Sequence, residues 1–465
     1  MEQLFKHQIE GVEFLKKRVS AILADDMGLG KTRTSIVATE TMPGGKIVIC
    51  PASIKINWER EIGAVCPDAK IFILESGKKV EIPTDIEWLI INYDLVGKYQ
   101  EELQQLADTT MPNIIVDEAH YIKSKKAIRS KNTLEITSKA KRVFCLTGTP
   151  VLNRPIELFN LLRATGHYLG KNASKYSARY CNGHLEVIFK RNGNVIRYWD
   201  ESGSSNTAEL KELTKDHVLR RKKEDVMDLP AKIISVQPCE LSKEWKKEYT
   251  MAWDKYLEWV ETNPEGKDID NIIDAKHLVE INKLKQVCSH SKVKRIVEDI
   301  LNTIEQDQKV VVFSQYTKVI EEILSELRDK KVGCVRLTGQ DDMDTRQNAV
   351  DQFQNNDNCK VFVANMKAAG VGITLTKASV VIFSDMDWSP EIHRQAEDRA
   401  HRIGTTGTVN VYYYIAELTI EEDIITILEN KRRMIDELME GTDATSSVGK
   451  EFLKLLSKRT KSARI

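Results

Sequence analysis

The residues with the clearest chemistry run Asp25-Asp26-Met27-Gly28-Leu29-Gly30-Lys31-Thr32. A short apolar run, Ala21-Ile22-Leu23-Ala24, precedes them, and a helix is expected from Arg33 to Ala38. A strand, a glycine-bearing turn ending in Gly-Lys-Thr and a helix make a phosphate cradle. Backbone N–H groups of the turn and of the helix N-terminus point at the anion. Glycine lets the backbone come close where a Cβ would collide. Lys31 would reach the β/γ-phosphates of ATP, and the Thr32 hydroxyl would bind Mg2+. The full pattern asks for glycine five residues before Gly30, where Asp25 stands. On this stretch alone, a glycine-rich turn with an exposed lysine is the competing reading.

Ile114-Ile115-Val116-Asp117-Glu118-Ala119-His120 is the second chemical signal. An acid pair at the end of an apolar strand sits at the carboxyl edge of a sheet, where α/β folds bind ligands. Asp117 would hold Mg2+, and Glu118 would orient and deprotonate the attacking water. Val143 to Leu146 is a further strand, ending in Thr147-Gly148-Thr149-Pro150. Thr147 and Thr149 can hydrogen-bond to the acidic loop or to a phosphate; a turn shaped by Gly148 and Pro150 is the plainer reading. Upstream, Leu4 to Leu15 follows helical spacing. In it Gln8, donor and acceptor at once, can read an adenine edge or stand as a solvated helix residue.

The elements that would position these residues alternate. Lys46–Cys50 reads as a strand stopped by Pro51, Ile54–Ile62 as a helix carrying Trp58, and Trp88–Tyr93 as another strand. Strands alternating with helices predict an α/β fold, a parallel sheet with helices on both faces. A second set begins at Lys309–Gln315 and continues with strands at 360–364, 380–384 and 409–414. It has no Gly-Lys-Thr of its own. Between the sets, residues 241–290 are helix-rich, with Trp245, Trp253 and Trp259 read as core anchors of a helical protrusion in preference to a DNA-facing surface. Arg220-Arg221-Lys222-Lys223 is a basic run, read either as a solvated face or as an anion contact.

At 465 residues the chain is expected to hold two or three domains. Apolar content of 41% and charged content of 30% describe a globular chain. With 69 basic and 69 acidic residues, any nucleic-acid surface must be local. The eight cysteines form no C-x-x-C pair and no zinc spacing, so reduced, half-buried thiols are expected. No signal peptide, no lipidation box and no run near the ~18 apolar residues of a membrane span is present.

Together these segments resemble helicase superfamily two and, more narrowly, its Swi/Snf-type DNA-translocase branch. Asp-Asp-Met-Gly-Leu-Gly-Lys-Thr is similar to that branch's Walker A, which also begins with an acid, so Asp25 reads as a branch marker. Asp-Glu-Ala-His resembles its Walker B and Leu-Thr-Gly-Thr-Pro its coupling motif. His217 to Val226, followed by Leu229-Pro230, resembles the linker between motor lobes, and Ala368 to Thr376 resembles the fifth motif. There Gly370 and Gly372 would approach a DNA phosphate and the lobe interface. Gln395 to Gly404 resembles the sixth motif. On a helix Arg399 and Arg402, three apart, share a face, which suits the arginine-finger role on the γ-phosphate. A pair bridged to Glu397 and Asp398 is the bland alternative, and Gln395 would help couple the lobes. Arg179-Tyr180-Cys181, the Gly-Ser-Ser-Asn loop and Ala-Ala-Gly-Val-Gly lean toward the annealing-helicase subgroup, although Thr405 replaces its usual glutamine.

The resemblance implies two tandem RecA-like lobes, parallel sheets flanked by helices, with helical protrusions. Lobe 1 is expected over 1–165, protrusions and linker over 166–290, lobe 2 over 291–430, and a brace helix with a basic tail over 431–465. The brace face would be Ile424, Ile427 or Leu428, Ile435 and Leu438. The implied ATP set is Gln8, Asp25, Asp26, Met27, Gly28, Leu29, Gly30, Lys31 and Thr32. Thr32 and Asp117 would take Mg2+. Lys31, Glu118, Arg399 and Arg402 would do the chemistry, and Thr147, Thr149 and Gln395 the coupling. DNA, duplex or forked and read without sequence preference, is the implied partner. Lys123, Lys125, Lys126 and Arg129 would line its track or form a solvated loop. A cytoplasmic monomer with little room for accessory domains, in a bacterial or viral setting, is expected. The activity would be ATP-driven translocation, with a strand-separating helicase and an ATP-gated clamp as alternatives.

Overall fold

The computed structural model describes residues 4–110, 112–148, 155–189, 195–201, 203–262, 275–369 and 372–440. Thr149, Gly370 and the basic tail lie outside them. The chain parts into two compact units at Asp228/Leu229, with the last described residues, from Met434, grouped with the first.

The first unit is built on β1 (Ala21–Leu23), β2 (Lys46–Cys50), β3 (Ile71–Ile73), β4 (Trp88–Asn92), β5 (Asn113–Val116) and β6 (Arg142–Leu146). An antiparallel hairpin follows, β7 (His184–Phe189) and β8 (Val195–Asp200), and then a two-residue strand, β9 (Val218–Leu219). β1 to β6 and β9 form one sheet in the order β3-β4-β2-β5-β6-β1-β9, every pairing parallel. β1, β4 and β5 are buried along their whole length. Strands covered on both faces must be apolar throughout, which is why these runs of Ile, Val and Leu do not alternate.

The second unit carries β10 (Lys232–Cys239), β11 (Lys309–Ser314), β12 (Cys334–Leu337), β13 (Val361–Asn365), β14 (Ala378–Phe383) and β15 (Val409–Ala416). Their order is β10-β15-β14-β11-β13-β12, again all parallel. Helices Lys243–Thr262 and Ala275–Ser291 occupy the expected helix-rich stretch. Trp253 is buried in the core and Trp245 packs on it; the Trp259 side chain lies outside the description. Of the brace face, Ile424, Ile427 and Leu428 are buried, while the side chains of Ile435 and Leu438 are not described. The sequence reading sets 166–290 apart from both lobes. Within it the structure shows β9 closing the first sheet and β10 opening the second.

A buried ion pair ties the second unit together. Lys292, between two helices, donates to both Glu421 carboxylate oxygens at 2.8 and 2.6 Å and to the Tyr414 carbonyl at 2.9 Å. The pair is almost fully buried, and the Ala416 N–H adds a third hydrogen bond to Glu421 at 2.7 Å. Burial nevertheless pushes the Glu421 carboxyl above its ordinary range. Removing one partner of such a pair strands a charge, whereas replacing both need not. Lys292→Met should destabilise this unit by about 3–5 kcal/mol, and Lys292→Met with Glu421→Leu should regain most of it. The check is the urea midpoint of the two variants beside the unchanged protein.

Candidate nucleotide site

Parallel pairing brings the three chemical segments to one edge. Leu23 of β1 is paired with Leu146 of β6, and Cys145 with Val116 of β5. The residues that leave these strands are therefore neighbours: Ala24, Thr147 and Asp117. The edge is fixed by Thr147 N–H to the Leu23 carbonyl at 3.1 Å and Asp117 N–H to the Ile49 carbonyl at 2.8 Å.

The loop after β1 turns through Gly30, at φ +76°, into helix Lys31–Glu40. A Cβ on Gly30 would come within 2.2 Å of Gln8 Nε2. The upstream helix, Lys6–Lys16, is thus pressed against the loop. Its His7 Nε2 lies 3.0 Å from the Leu29 carbonyl, and Gln8 Nε2 donates to the same oxygen at 3.4 Å. Gln8 Oε1 accepts from the Phe5 N–H at 3.0 Å, so in this structure both ends of the amide are used within the protein. Lys31 Nζ donates to the carbonyls of Asp25 and Asp26, at 2.7 and 3.2 Å. A Cβ on Gly148 would meet Met27 Cγ at 2.7 Å and Lys31 Nζ at 3.6 Å, so the loop after β6 lies directly on the lysine.

The two loop carboxylates are met by the stretch 221–223. Asp25 is paired with Arg221, and Asp26 accepts from the Lys223 N–H at 3.1 Å. Their contribution to the cradle is backbone: two carbonyls on Lys31. Thr32 is half-buried at the second position of the helix.

Asp117 is held from several sides. Trp58 Nε1 donates to Oδ2 and the Glu118 N–H to Oδ1, both at 2.8 Å, and the Tyr93 hydroxyl donates to its carbonyl at 2.6 Å. Burial, and then the charge of Glu118, push its carboxyl up to about 6; the Trp58 and Glu118 N–H bonds and Lys31 pull the other way. Glu118 sits at φ +49°, ψ +50°, a left-handed conformation that costs a non-glycine residue on the order of 1 kcal/mol or more. Its Oε2 lies 3.2 Å from His120 Nδ1. The site therefore sets a carboxyl with a raised pKa beside a second on a strained turn and an ammonium at the start of a helix. The glycine-lined cradle with Lys31 beside it fits a phosphate chain.

Of the track residues, Lys123 is bridged to Glu157 at 3.3 Å and Lys125 to Glu201 at 2.7 Å, while Lys126 is exposed. Arg129 lies over the Tyr121 ring, 5.7 Å from its centroid.

In the second unit, helix Pro390–Ala400 ends before Arg402: His401 is its C-cap, with φ −100° and ψ +83°. The two arginines therefore do not share a helix face, as the i,i+3 spacing predicts. The fifth motif gathers them instead. Arg399 Nη1 donates to the Ile373 carbonyl at 3.4 Å, and Arg402 Nη1 to Thr374 Oγ1 at 3.0 Å. Glu397 accepts from Lys232 at 2.8 Å and from the Tyr413 hydroxyl at 2.6 Å. The Gln395 carbonyl accepts from Arg399 Nε at 3.2 Å. Gly372, at φ +79°, is exposed.

Trp58, Tyr93 and Arg221 escaped the sequence reading. Trp58 reads as a core helix residue and Tyr93 as a strand end; only the basic run marked Arg221. Among the described residues no His, Cys, Asp or Glu cluster is arranged for a metal, all eight cysteines are free, and no helix is long and apolar enough to cross a membrane.

A model of the SNF2-related domain matches residues 7–311, and one of the helicase conserved C-terminal domain matches 291–404. The human DNA annealing helicase and endonuclease ZRANB3 is 30% identical over 450 residues, 94% of this chain and 40% of that protein. A Caenorhabditis elegans homologue of SWI/SNF-related matrix-associated actin-dependent regulator of chromatin subfamily A-like protein 1 is 30% identical over 467 residues, 98% of this chain and 64% of that protein. The chain thus spans less than two thirds of either relative. The Sulfolobus solfataricus SWI2/SNF2 ATPase core in complex with dsDNA is 26% identical, with coverage of 94% of this chain and 93% of that chain and a TM-score of 0.43. With well over half its length matched by the one domain model, the chain belongs to the SNF2-related family.

Proposed function

We propose that this chain is a DNA-dependent ATPase that couples hydrolysis to translocation on duplex or forked DNA, with strand annealing or the remodelling of protein–DNA contacts as the outcome. The observation that carries the reading is the meeting of Lys31, Gly148 and the Asp117–Glu118 pair at one sheet edge. The ZRANB3 relative, named as a DNA annealing helicase, supports the substrate. Translocation on DNA asks for phosphate contacts without base reading. Lys126, Gly370 and Gly372 are the candidates for these, with Lys123 and Lys125 once released from their acids.

Thr32 and Asp117 would hold Mg2+, which when bound offsets phosphate charge. The loop N–H groups bind the phosphates of ATP, and Lys31 exchanges its loop carbonyls for phosphate oxygens. Glu118 takes the proton of the attacking water at its carboxylate, 3.2 Å from His120 Nδ1. Arg399 and Arg402 are assigned the charge that spreads over the transferring phosphoryl group. Thr147, Thr149 and Gln395 are assigned to coupling.

The test is the ATPase rate with no nucleic acid, single-stranded DNA, duplex DNA, a forked junction and RNA. Duplex or fork should stimulate most, and displacement of a triplex strand should follow. Stimulation by single strands or RNA alone would favour a strand-separating helicase. Glu118→Gln should cut turnover at least about 100-fold while leaving ATP binding within a few-fold; single-turnover kinetics and a binding titration separate the two. Asp117 must be ionised to take Mg2+, so binding of Mg2+–nucleotide should weaken as the pH drops through about 6. The Trp58 hydrogen bond favours the ionised form, so Trp58→Phe should move that midpoint to higher pH in a binding titration repeated across pH.

A further inference from the structure

Asp25 poses a problem of electrostatics. It is 1% exposed and opens a loop whose backbone is shaped for anions. A carboxylate there opposes the binding of a phosphate chain unless its charge is cancelled. Arg221 cancels it: Nε donates to Oδ1 at 3.0 Å and Nη2 to Oδ2 at 2.5 Å, the forked geometry that suits arginine. The third nitrogen, Nη1, donates to the His7 carbonyl, on the helix that presses on Gly30.

The surrounding backbone carries the same pattern residue by residue. The Ala24 N–H donates to the Leu219 carbonyl at 2.7 Å, and the Asp26 N–H to the Arg221 carbonyl at 3.0 Å. Asp26 Oδ2 accepts from the Lys223 N–H at 3.1 Å. Three successive loop residues are thus latched to the stretch 219–223. Five residues beyond that stretch, at Asp228, the chain leaves the first unit for the second. The same loop residues present the carbonyls that hold Lys31.

We propose that Arg221 is a positioning residue whose seating on Asp25 sets nucleotide affinity, so that the connector between the two units also controls nucleotide release. This rests on the nucleotide reading of the site. While Arg221 is seated, the acid is neutral toward phosphate and the loop keeps Lys31 in place. When the connector is drawn off, the Asp25 carboxylate is left uncompensated and repels the phosphates. A single charge about 10 Å away at an effective dielectric near 20 is worth about one order of magnitude in affinity.

The experiment titrates a fluorescent ADP analogue with Mg2+ into the full chain, without DNA and without turnover. Arg221→Ala should weaken binding about tenfold. Adding Asp25→Asn to it should restore the affinity to within about threefold, and Arg221→Lys should fall between. Asp25→Asn alone should bind as well as the unchanged chain or better, which keeps the proposal testable if Arg221→Ala fails to fold. Binding by Arg221→Ala equal to that of the unchanged chain, no rescue in the double variant, or a tenfold loss in Asp25→Asn alone would each overturn the clamp while leaving the nucleotide site standing. No binding by the unchanged chain would overturn the nucleotide reading and the clamp with it.

Discussion

Parallel strand pairing is the constraint from which the site follows. In a parallel sheet all strands end on the same edge, and register decides which loop residues become neighbours. Here the pairing of β1, β6 and β5 sets the lysine loop, the threonine-glycine turn and the acid pair side by side. Lys31 and Asp117 stand 86 residues apart and Thr147 a further 30 along, yet they need no further device to meet. The helices and loops around them then tune the chemistry: Trp58, from the helix after β2, and Tyr93, at the end of β4, fix Asp117 from both sides.

The strands that sequence reveals are those buried on both faces, because a run such as Ile47-Val48-Ile49 has no other use for its side chains. β3, β9 and β12 are two to four residues long and have no such run to show. β10 is an edge strand with Ile233, Ile234 and Val236 exposed, and its mixed pattern hides it. The site divides in the same way. Lys31, Asp117 and Glu118 are legible because local order alone places them. The roles of Arg221 and Trp58 are not, because each acts on a carboxylate far away in sequence. Arg402 shows the limit of periodicity: spacing puts it on a helix, but the helix has already ended at Ala400, and a tertiary contact with Thr374 decides where it points.

The second unit lacks a lysine loop yet keeps a polar cluster at the end of its central strands. Asp385, fully buried after β14, accepts from the Ser314 hydroxyl at 2.5 Å, the Ser384 hydroxyl at 2.9 Å and the Gln315 N–H at 3.0 Å. Beside it Lys285 donates to the Met386 carbonyl at 2.7 Å. Charges this deep are tolerated only when each is met by several partners. They tie the loop after β11 to the loop after β14.

The pairing of β10 with β15 has a consequence for how the chain is made. The first sheet is complete once Leu219 has been synthesised. β10 follows within a few residues, but its partner along all eight positions begins only at Val409. On the ribosome the first sheet can therefore close while β10, with three apolar side chains exposed even in the finished fold, waits for nearly the whole of the second unit to emerge. The order of synthesis thus separates the folding of the phosphate-binding half from that of its companion. The interval during which an unpaired apolar strand must be kept from other chains is set by the rate of translation.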